Sequence, residues 1–543
     1  MTDHCRTALR ASLPALLLVL VVLLPFLDKA FTMDDTVFMR EAMHALSDPL
    51  HPTAFDMVWT HKLERLSTIV PTGPFMAWLL LPAAALGGAE WAAHAMQILM
   101  LAVACVATVS LALRLGLKPR WACAAGLLLA ASPAVLGMAG TAMPDVPAMA
   151  FGIAGIERLV VWQKDRRLAD AAAASVLLAC GVLTRSHLLL LLAPAALLLA
   201  GDAYDVRSWF RSGWRIYVPL LMVPVIVSVM LFITRDPSAQ GGTLAGTLAS
   251  LSSLHTVPSN TVAYAVHLAL VIPFTIPWTL LYYREILRSP VILLGAVVLC
   301  AGLLWLAHRQ EAPYVIALVA GTSVAAFAQA LRRAFAGRDS KELVLLAWML
   351  VPLATVIYVH LPAKFLVPVA PAAAIVVADS LARRPRLGAV VLAVTLVAGT
   401  VLGVAILRAD QRFAGFGRGV AQNIIAPQVA RGEQVWFNGH WGFQWYAEQA
   451  GARCLAINQP LPSPGALVFS AERSEAVLAL SEMKGFVLVR RLQDATPGGR
   501  INSSIHGSGF YSNAWGYLPW AWGSDPIEII DIYRFSPQEL PNR

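Results

Sequence analysis

Long apolar runs, broken by short charged loops, govern what this chain can become. About twenty consecutive apolar residues cross the hydrocarbon of a bilayer. By that rule the sequence predicts about thirteen spans, with approximate cores at 11–28, 91–113, 121–140, 146–162, 171–184, 186–200, 216–234, 262–282, 289–307, 313–331, 342–359, 365–382 and 387–407. Of the 543 residues, 58% are hydrophobic and 13% are charged, against about 25% charged in soluble domains. A chain this apolar needs hydrocarbon as part of its solvent. The expectation is a multi-pass α-helical membrane protein.

Charge placement gives the orientation. The net charge is +9, from 41 basic and 32 acidic residues. The basic side chains cluster in alternate short loops: Arg114, Lys118 and Arg120; Arg158, Lys164, Arg166 and Arg167; Arg207, Arg211 and Arg215; Arg284 and Arg288; Arg332, Arg333, Arg338 and Lys341; Arg383, Arg384 and Arg386. The intervening loops hold few. This distribution is a topology signal with the N-terminus cytoplasmic rather than a nucleic-acid patch. The apolar stretch Pro71–Gly88 opens with Pro and Gly and ends in Gly-Gly. Counting it as a span would invert the bias of every later loop, so it is read as a juxtamembrane helix. The first apolar run has no small-residue cleavage site after it and is read as an uncleaved span. The other long outer loop, 235–260, is rich in Gly, Ser and Thr and is read as mobile.

The composition changes from Arg408 onward. Short β-like runs at Gln434–Phe437, Ala466–Ser470, Gly485–Arg490 and Pro526–Phe535 alternate with helical stretches at Trp441–Ala450 and Ala471–Leu480. This predicts a small C-terminal α/β extracytoplasmic domain, 408–543, after a transmembrane domain, 1–407, with outer loops 28–90 and 235–260. Cys5, Cys105, Cys123, Cys180, Cys300 and Cys454 show no metal-ligand spacing, and structural disulfides are not expected.

Few residues on the outer side can carry chemistry. Asp34 and Asp35 follow the first span; adjacent carboxylates there can act as a base or hold a cation, or serve as a solvated helix end. Asp145, between Pro144 and Pro147, is the single charge in its turn; taken alone it suits a cap on the following helix somewhat better than a functional acid. Both acidic places fall on one side of the membrane. Outer cations are scarce: Lys62, Arg65, Arg185, Arg235 and Lys364 could neutralise a phosphate, or snorkel to the interface. The outer histidines lack the HExxH spacing of a zinc site, and neither a Gly-rich phosphate loop nor a GxSxG elbow is present. A cytosolic nucleotide is therefore not expected as direct substrate. The aromatic segment Phe510–Trp522 suits core packing slightly better than sugar stacking.

These motifs resemble the GT-C membrane glycosyltransferases, in particular the bacterial relatives of protein O-mannosyltransferase and lipid A aminoarabinose transferase. Asp34-Asp35-Thr36-Val37-Phe38 resembles the family's Asp-Glu motif, with Asp35 where Glu is usual. Pro71–Trp78 resembles the start of its juxtamembrane helix, and Met143-Pro144-Asp145 its second acidic position. Gly181–Arg185 resembles a Gly-Leu-Thr-Lys run with Arg for Lys; Lys364–Pro368 resembles an Arg-Tyr-Leu-Leu-Pro run; Gly439–Tyr446 resembles a segment of the extracytoplasmic domain in some members. The resemblance implies an enzyme that takes a sugar from a polyprenyl-phosphate carrier at the outer face and passes it to a lipid, glycan or protein hydroxyl. Asp34 would then be the base, Asp145 or Asp35 would position substrate, and the five cations would hold the donor phosphate. No soluble cofactor is implied; three carboxylates leave room for a divalent metal. The rival class is a transporter or flippase, but no repeat between halves supports it.

Overall fold

A computed structural model describes residues 3–59, 61–69, 73–211, 213–238, 254–309, 314–475 and 478–537. Most of the loop expected to be mobile, 239–253, lies outside the described residues. Among the described residues, six helices are long and apolar enough to cross a membrane, or up to eight if each of two bent pairs is one span. The expected thirteen are thus not all straight, full-length spans. Proline explains much of the difference, because it removes a backbone donor and clashes with the preceding turn. Helices Pro119–Ala130 and Pro133–Ala139 meet at 58°, and Leu254–Leu270 and Thr275–Leu287 at 86°, with Pro273 in the break. A break in hydrocarbon must satisfy its freed polar groups. Here the two breaks do so together: the Ser132 hydroxyl and the Ala134 amide both donate to the Val271 carbonyl, at 2.7 and 3.1 Å.

The segment after the first span carries the helix Asp35–Ala45 and a hairpin of β1 (Asp56–Val58) and β2 (Leu63–Arg65). The expected juxtamembrane helix is two short pieces, Phe75–Leu79 and Leu81–Ala85. At about 1.5 Å per residue they are too short to span a bilayer. Gly73 opens this stretch against the Leu183 carbonyl, where a Cβ would overlap backbone. Two of the short motifs seen in the sequence are therefore in direct contact.

Beyond the 36-residue helix Pro385–Val420 the chain turns to strands. β3 (Val435–Asn438), β4 (Arg453–Cys454), β5 (Leu467–Ala471) and β6 (Phe486–Gln493) come first. Then follow β7 (Gly498–Arg500), β8 (Asn502–Ser503), β9 (Ser508–Gly509), β10 (Ala521–Gly523) and β11 (Ile529–Phe535). Five of them form a mixed sheet in the order β4-β3-β5-β11-β6; β7 pairs with β10, and β8 with β9. β3 is parallel to β4 and β5, whereas β11 is antiparallel to β5 and β6. The parallel β3–β4 pair requires a crossover, supplied by the helix Trp441–Gln449.

That crossover helix packs against the turn after the first span. Tyr446 accepts from the Phe31 amide at 2.8 Å and donates to Glu90 at 2.8 Å. Thr36 donates its hydroxyl to the Trp441 carbonyl at 2.5 Å. Gly442 faces Phe31 so closely that a Cβ would overlap its carbonyl. Residues 30–36 are thus held from two sides, by the helical body and by the strand-bearing region.

Candidate active site

Met33 adopts a left-handed conformation, φ 41°, immediately before Asp34. A non-glycine residue there is strained, and such strain gathers at functional turns. The turn sets Asp34 at the N-cap of the helix Asp35–Ala45 with its side chain partly exposed. Lys364 donates to its carboxylate at 2.7 Å. Lys364 lies on the 3-10 helix Ala363–Val369, which follows Pro362 and contains Pro368. The aromatic segment of the sequence supports that piece from behind: the Ala363 amide donates to the Phe510 carbonyl at 3.1 Å, and Leu361 to Asn513 Oδ1 at 2.8 Å. Phe510 and Tyr511 are buried, so this part of the segment serves packing; Trp522 is exposed.

Asp145 is the first residue of the helix Asp145–Asp165 and is fully buried. Its side chain makes no cap. Oδ2 accepts from Arg185 at 2.9 Å, and Oδ1 is buried with no hydrogen-bond partner among the described residues. Arg185 follows the helix Leu168–Thr184 in extended conformation, and its guanidinium lies 6.0 Å from the ring of Phe365, the neighbour of Lys364. His187 packs on the same ring at 5.4 Å. The Asp145–Arg185 pair thus lies beside Phe365, the chain neighbour of Lys364, and Arg185 is near enough to act on the charge of Asp34.

Charge states follow from these neighbours. Burial raises the Asp34 carboxyl, but Lys364, and more remotely Arg185, outweigh it and hold the group below the usual carboxylate range. Asp34 is ionised at neutral pH and able to take a proton. Burial, then Lys364, pushes His360 down to about 4, so that ring is neutral beside the pair. Glu475, in left-handed conformation with φ 55°, is raised by burial and by the negative charge of Asp34. It brings a third acid from the strand-bearing region into the field of Asp34.

Asp35 does something different from Asp34. It is fully buried, and both oxygens accept backbone amides: Thr32 at 2.9 Å and Ala142 at 2.8 Å. Burial raises its carboxyl to about 7, against the pull of Lys29. Its oxygens are committed to tying the Asp34 turn to the turn before Asp145. Beneath it lies a network that sequence reasoning missed. Lys29 donates to Asp410 at 2.7 Å with both side chains buried. Thr32 and Tyr511 donate to the same carboxylate at 2.9 and 3.0 Å. The available signal was Asp410 itself, an acid just past a long apolar run.

The remaining cations are placed elsewhere. Arg65 is bound to Asp236 at 2.8 Å and to Asp56 at 3.6 Å, tying the hairpin to the end of the helix Val218–Ile233. Lys62 is exposed at the hairpin tip, where its neighbour Leu63 exchanges hydrogen bonds with Asn458 at 2.9 and 3.0 Å. Arg235 is exposed beside Asp236. Among the described residues, no hydrogen bond or ion pair joins these three to the Asp34 group. Among the described residues, no group of three His, Cys, Asp or Glu side chains is arranged to hold a metal.

Fold and site together define a multi-pass helical membrane protein with paired carboxylates and cations gathered between helix ends. The chain is similar to the GT-C membrane glycosyltransferases: residues 71–233 match the family described as dolichyl-phosphate-mannose-protein mannosyltransferase. No curated protein matches. Among solved structures, ArnT from Cupriavidus metallidurans bound to undecaprenyl phosphate is 16% identical, with 88% of this chain and 96% of that chain covered and a TM-score of 0.42. The oligosaccharyltransferase AglB from Archaeoglobus fulgidus, in complex with an inhibitory peptide and a dolichol-phosphate, is 12% identical, with coverage of 83% and 64% and a TM-score of 0.46. The arabinofuranosyltransferase AftD from Mycobacteria is 14% identical, with coverage of 99% and 42% and a TM-score of 0.44. Likenesses this remote leave the chemistry of this chain to be argued from its own residues.

Proposed function

We propose that this protein is a membrane glycosyltransferase that moves a sugar from a polyprenyl-phosphate-linked donor to a hydroxyl of a lipid, glycan or protein acceptor. The observation that carries the reading is the Asp34–Lys364 pair at 2.7 Å, with Arg185 of the Asp145–Arg185 pair, itself at 2.9 Å, near enough to act on Asp34. A general base needs an ionised carboxylate within reach of the acceptor hydroxyl. Asp34 is held ionised and is partly exposed. The leaving phosphate needs cations where its charge grows. Lys364 and Arg185 are suited to this, exchanging their carboxylate partners for phosphate oxygens when donor binds.

In the proposed step the acceptor oxygen attacks the anomeric carbon and its proton passes to Asp34. The bond from that carbon to the phosphate oxygen breaks, and its electron pair stays on the phosphate, facing Lys364 and Arg185. A single displacement inverts the anomeric configuration. Asp35 acts through position: its hydrogen bonds hold the Asp34 turn against Ala142. The reading calls for no soluble cofactor, and transfer persisting in EDTA would agree with that. In the proposed topology the N-terminus is cytoplasmic, the C-terminal region is extracytoplasmic and the site faces outward, in a bacterial-type inner membrane. The test uses membranes containing the full chain and a radiolabelled polyprenyl-phosphate sugar. Label moving onto an acceptor, and lost in Asp34→Asn, agrees with the enzyme. Label that crosses the bilayer without transfer would instead mark a transporter.

A further inference from the structure

A cavity of about 640 Å³ lies between the β1–β2 hairpin and the β4 edge of the five-stranded sheet. That volume is in the range of small-molecule sites, about 300–1,000 Å³. Its walls come from separate parts of the chain. The helix Asp35–Ala45 supplies Arg40, β1 supplies Asp56, and the crossover helix supplies Glu448. Trp436, Arg453 and Gln459 complete it from the sheet side.

The chemistry of the lining selects a class of ligand. Three of its four charged side chains already have partners: Arg40 pairs with Glu448, and Asp56 with Arg65 of β2 at 3.6 Å. A strongly anionic ligand could meet Arg453, but would have to break these pairs to gain any further charge. What remains is an indole, a guanidinium at 6.0 Å from that indole ring, and the side-chain amides of Gln434 and Gln459. Flat apolar faces beside planar hydrogen-bonding groups suit a pyranose, which offers C–H on its faces and hydroxyls at its rim.

We propose that this cavity is a subsite for a neutral saccharide, holding the non-reacting part of a glycan-bearing acceptor. Its use in transfer rests on the glycosyltransferase reading above. The helix Asp35–Ala45 connects the two places: Asp34 stands just before its first residue and Arg40 lies roughly 9 Å along its axis. Binding a remote sugar there would orient the reacting hydroxyl toward Asp34, so that remote binding energy serves the reaction.

The test is calorimetric titration of the purified full chain in detergent with gluco-, galacto- and manno-configured disaccharides, and with a sulfated disaccharide as charged comparator. At least one neutral disaccharide should bind. Arg453→Ala and Gln459→Ala, both at exposed positions, should each weaken it roughly tenfold. Asp34→Asn should leave binding unchanged. Absence of binding by every neutral sugar, indifference to both substitutions, or tighter binding of the sulfated sugar would overturn the subsite. Binding without any transfer by the wild type would instead count against the glycosyltransferase reading and leave the subsite standing. Transfer with an unchanged acceptor KM in Arg453→Ala and Gln459→Ala would do the reverse.

Discussion

Asp34 and Asp35 are neighbours with opposite environments. Asp34 has a cation beside it and an exposed edge; Asp35 is closed in and bound by two amides. That contrast separates an acid free to exchange protons from an acid that shapes a turn. Asp34→Asn removes the proposed base and should lower turnover roughly 10²–10⁴-fold, with the elution profile of the purified protein unchanged. Because the Asp34 carboxyl is lowered, wild-type kcat/KM should stay level through the ordinary carboxylate range and fall only at more acidic pH. A rate limb rising near neutrality would assign the base elsewhere. Arg185→Lys keeps the charge but loses the planar fork that reaches Asp145. It should cost roughly 10–100-fold in kcat/KM for the donor, and a rate equal to wild type would remove Arg185 from phosphate binding.

At the scale of elements, the site depends on turns rather than on helices. The stretch from Lys29 to Thr36 is clamped by the crossover helix on one side and by Asp410 on the other. Asp410 belongs to the long helix Pro385–Val420, and Tyr511, which shares its carboxylate, belongs to the strand-bearing region. Breaking a buried ion pair from one side leaves an uncompensated charge, at about 3–5 kcal/mol. Lys29→Met should therefore lower the thermal midpoint in detergent and reduce activity with it. The double variant Lys29→Met with Asp410→Leu, which removes both charges, should recover part of the stability, the Thr32 and Tyr511 hydroxyls having lost their acceptor. Recovery of stability without recovery of activity would show the network positioning the Asp34 turn; no loss in the single variant would show it to be idle.

For the whole molecule, two buried acids set a pH dependence of stability. Burial raises both Asp35 and Glu528 to about 7, from ordinary values of 3.8 and 4.5. Between those values and about 7 the folded chain holds protons that the unfolded chain has released. Stability from these groups is therefore complete below the ordinary values and is lost as pH rises through about 7. Thermal melts in detergent from pH 5 to pH 8 should show a falling midpoint, and a flat or rising one would mean these carboxyls titrate normally.

Much of the architecture was written locally. Apolar runs and the charges that end them are properties of short stretches, so membrane character, the acids at Asp34 and Asp145, and the cations Arg185 and Lys364 could all be read without a fold. Proline-broken spans were harder, since an apolar run keeps its composition when its helix bends, as at Pro273. Partnership was decided by tertiary structure alone. Lys364 reaches Asp34 across 330 residues, and Lys29 reaches Asp410 across 381. Lys62, Arg65 and Arg235 look like Lys364 in sequence, yet Arg65 is bound to Asp236, and the other two are exposed. A charge announces itself in the sequence, but its energy depends on burial and on the opposite charge beside it, and both arise only when distant segments pack.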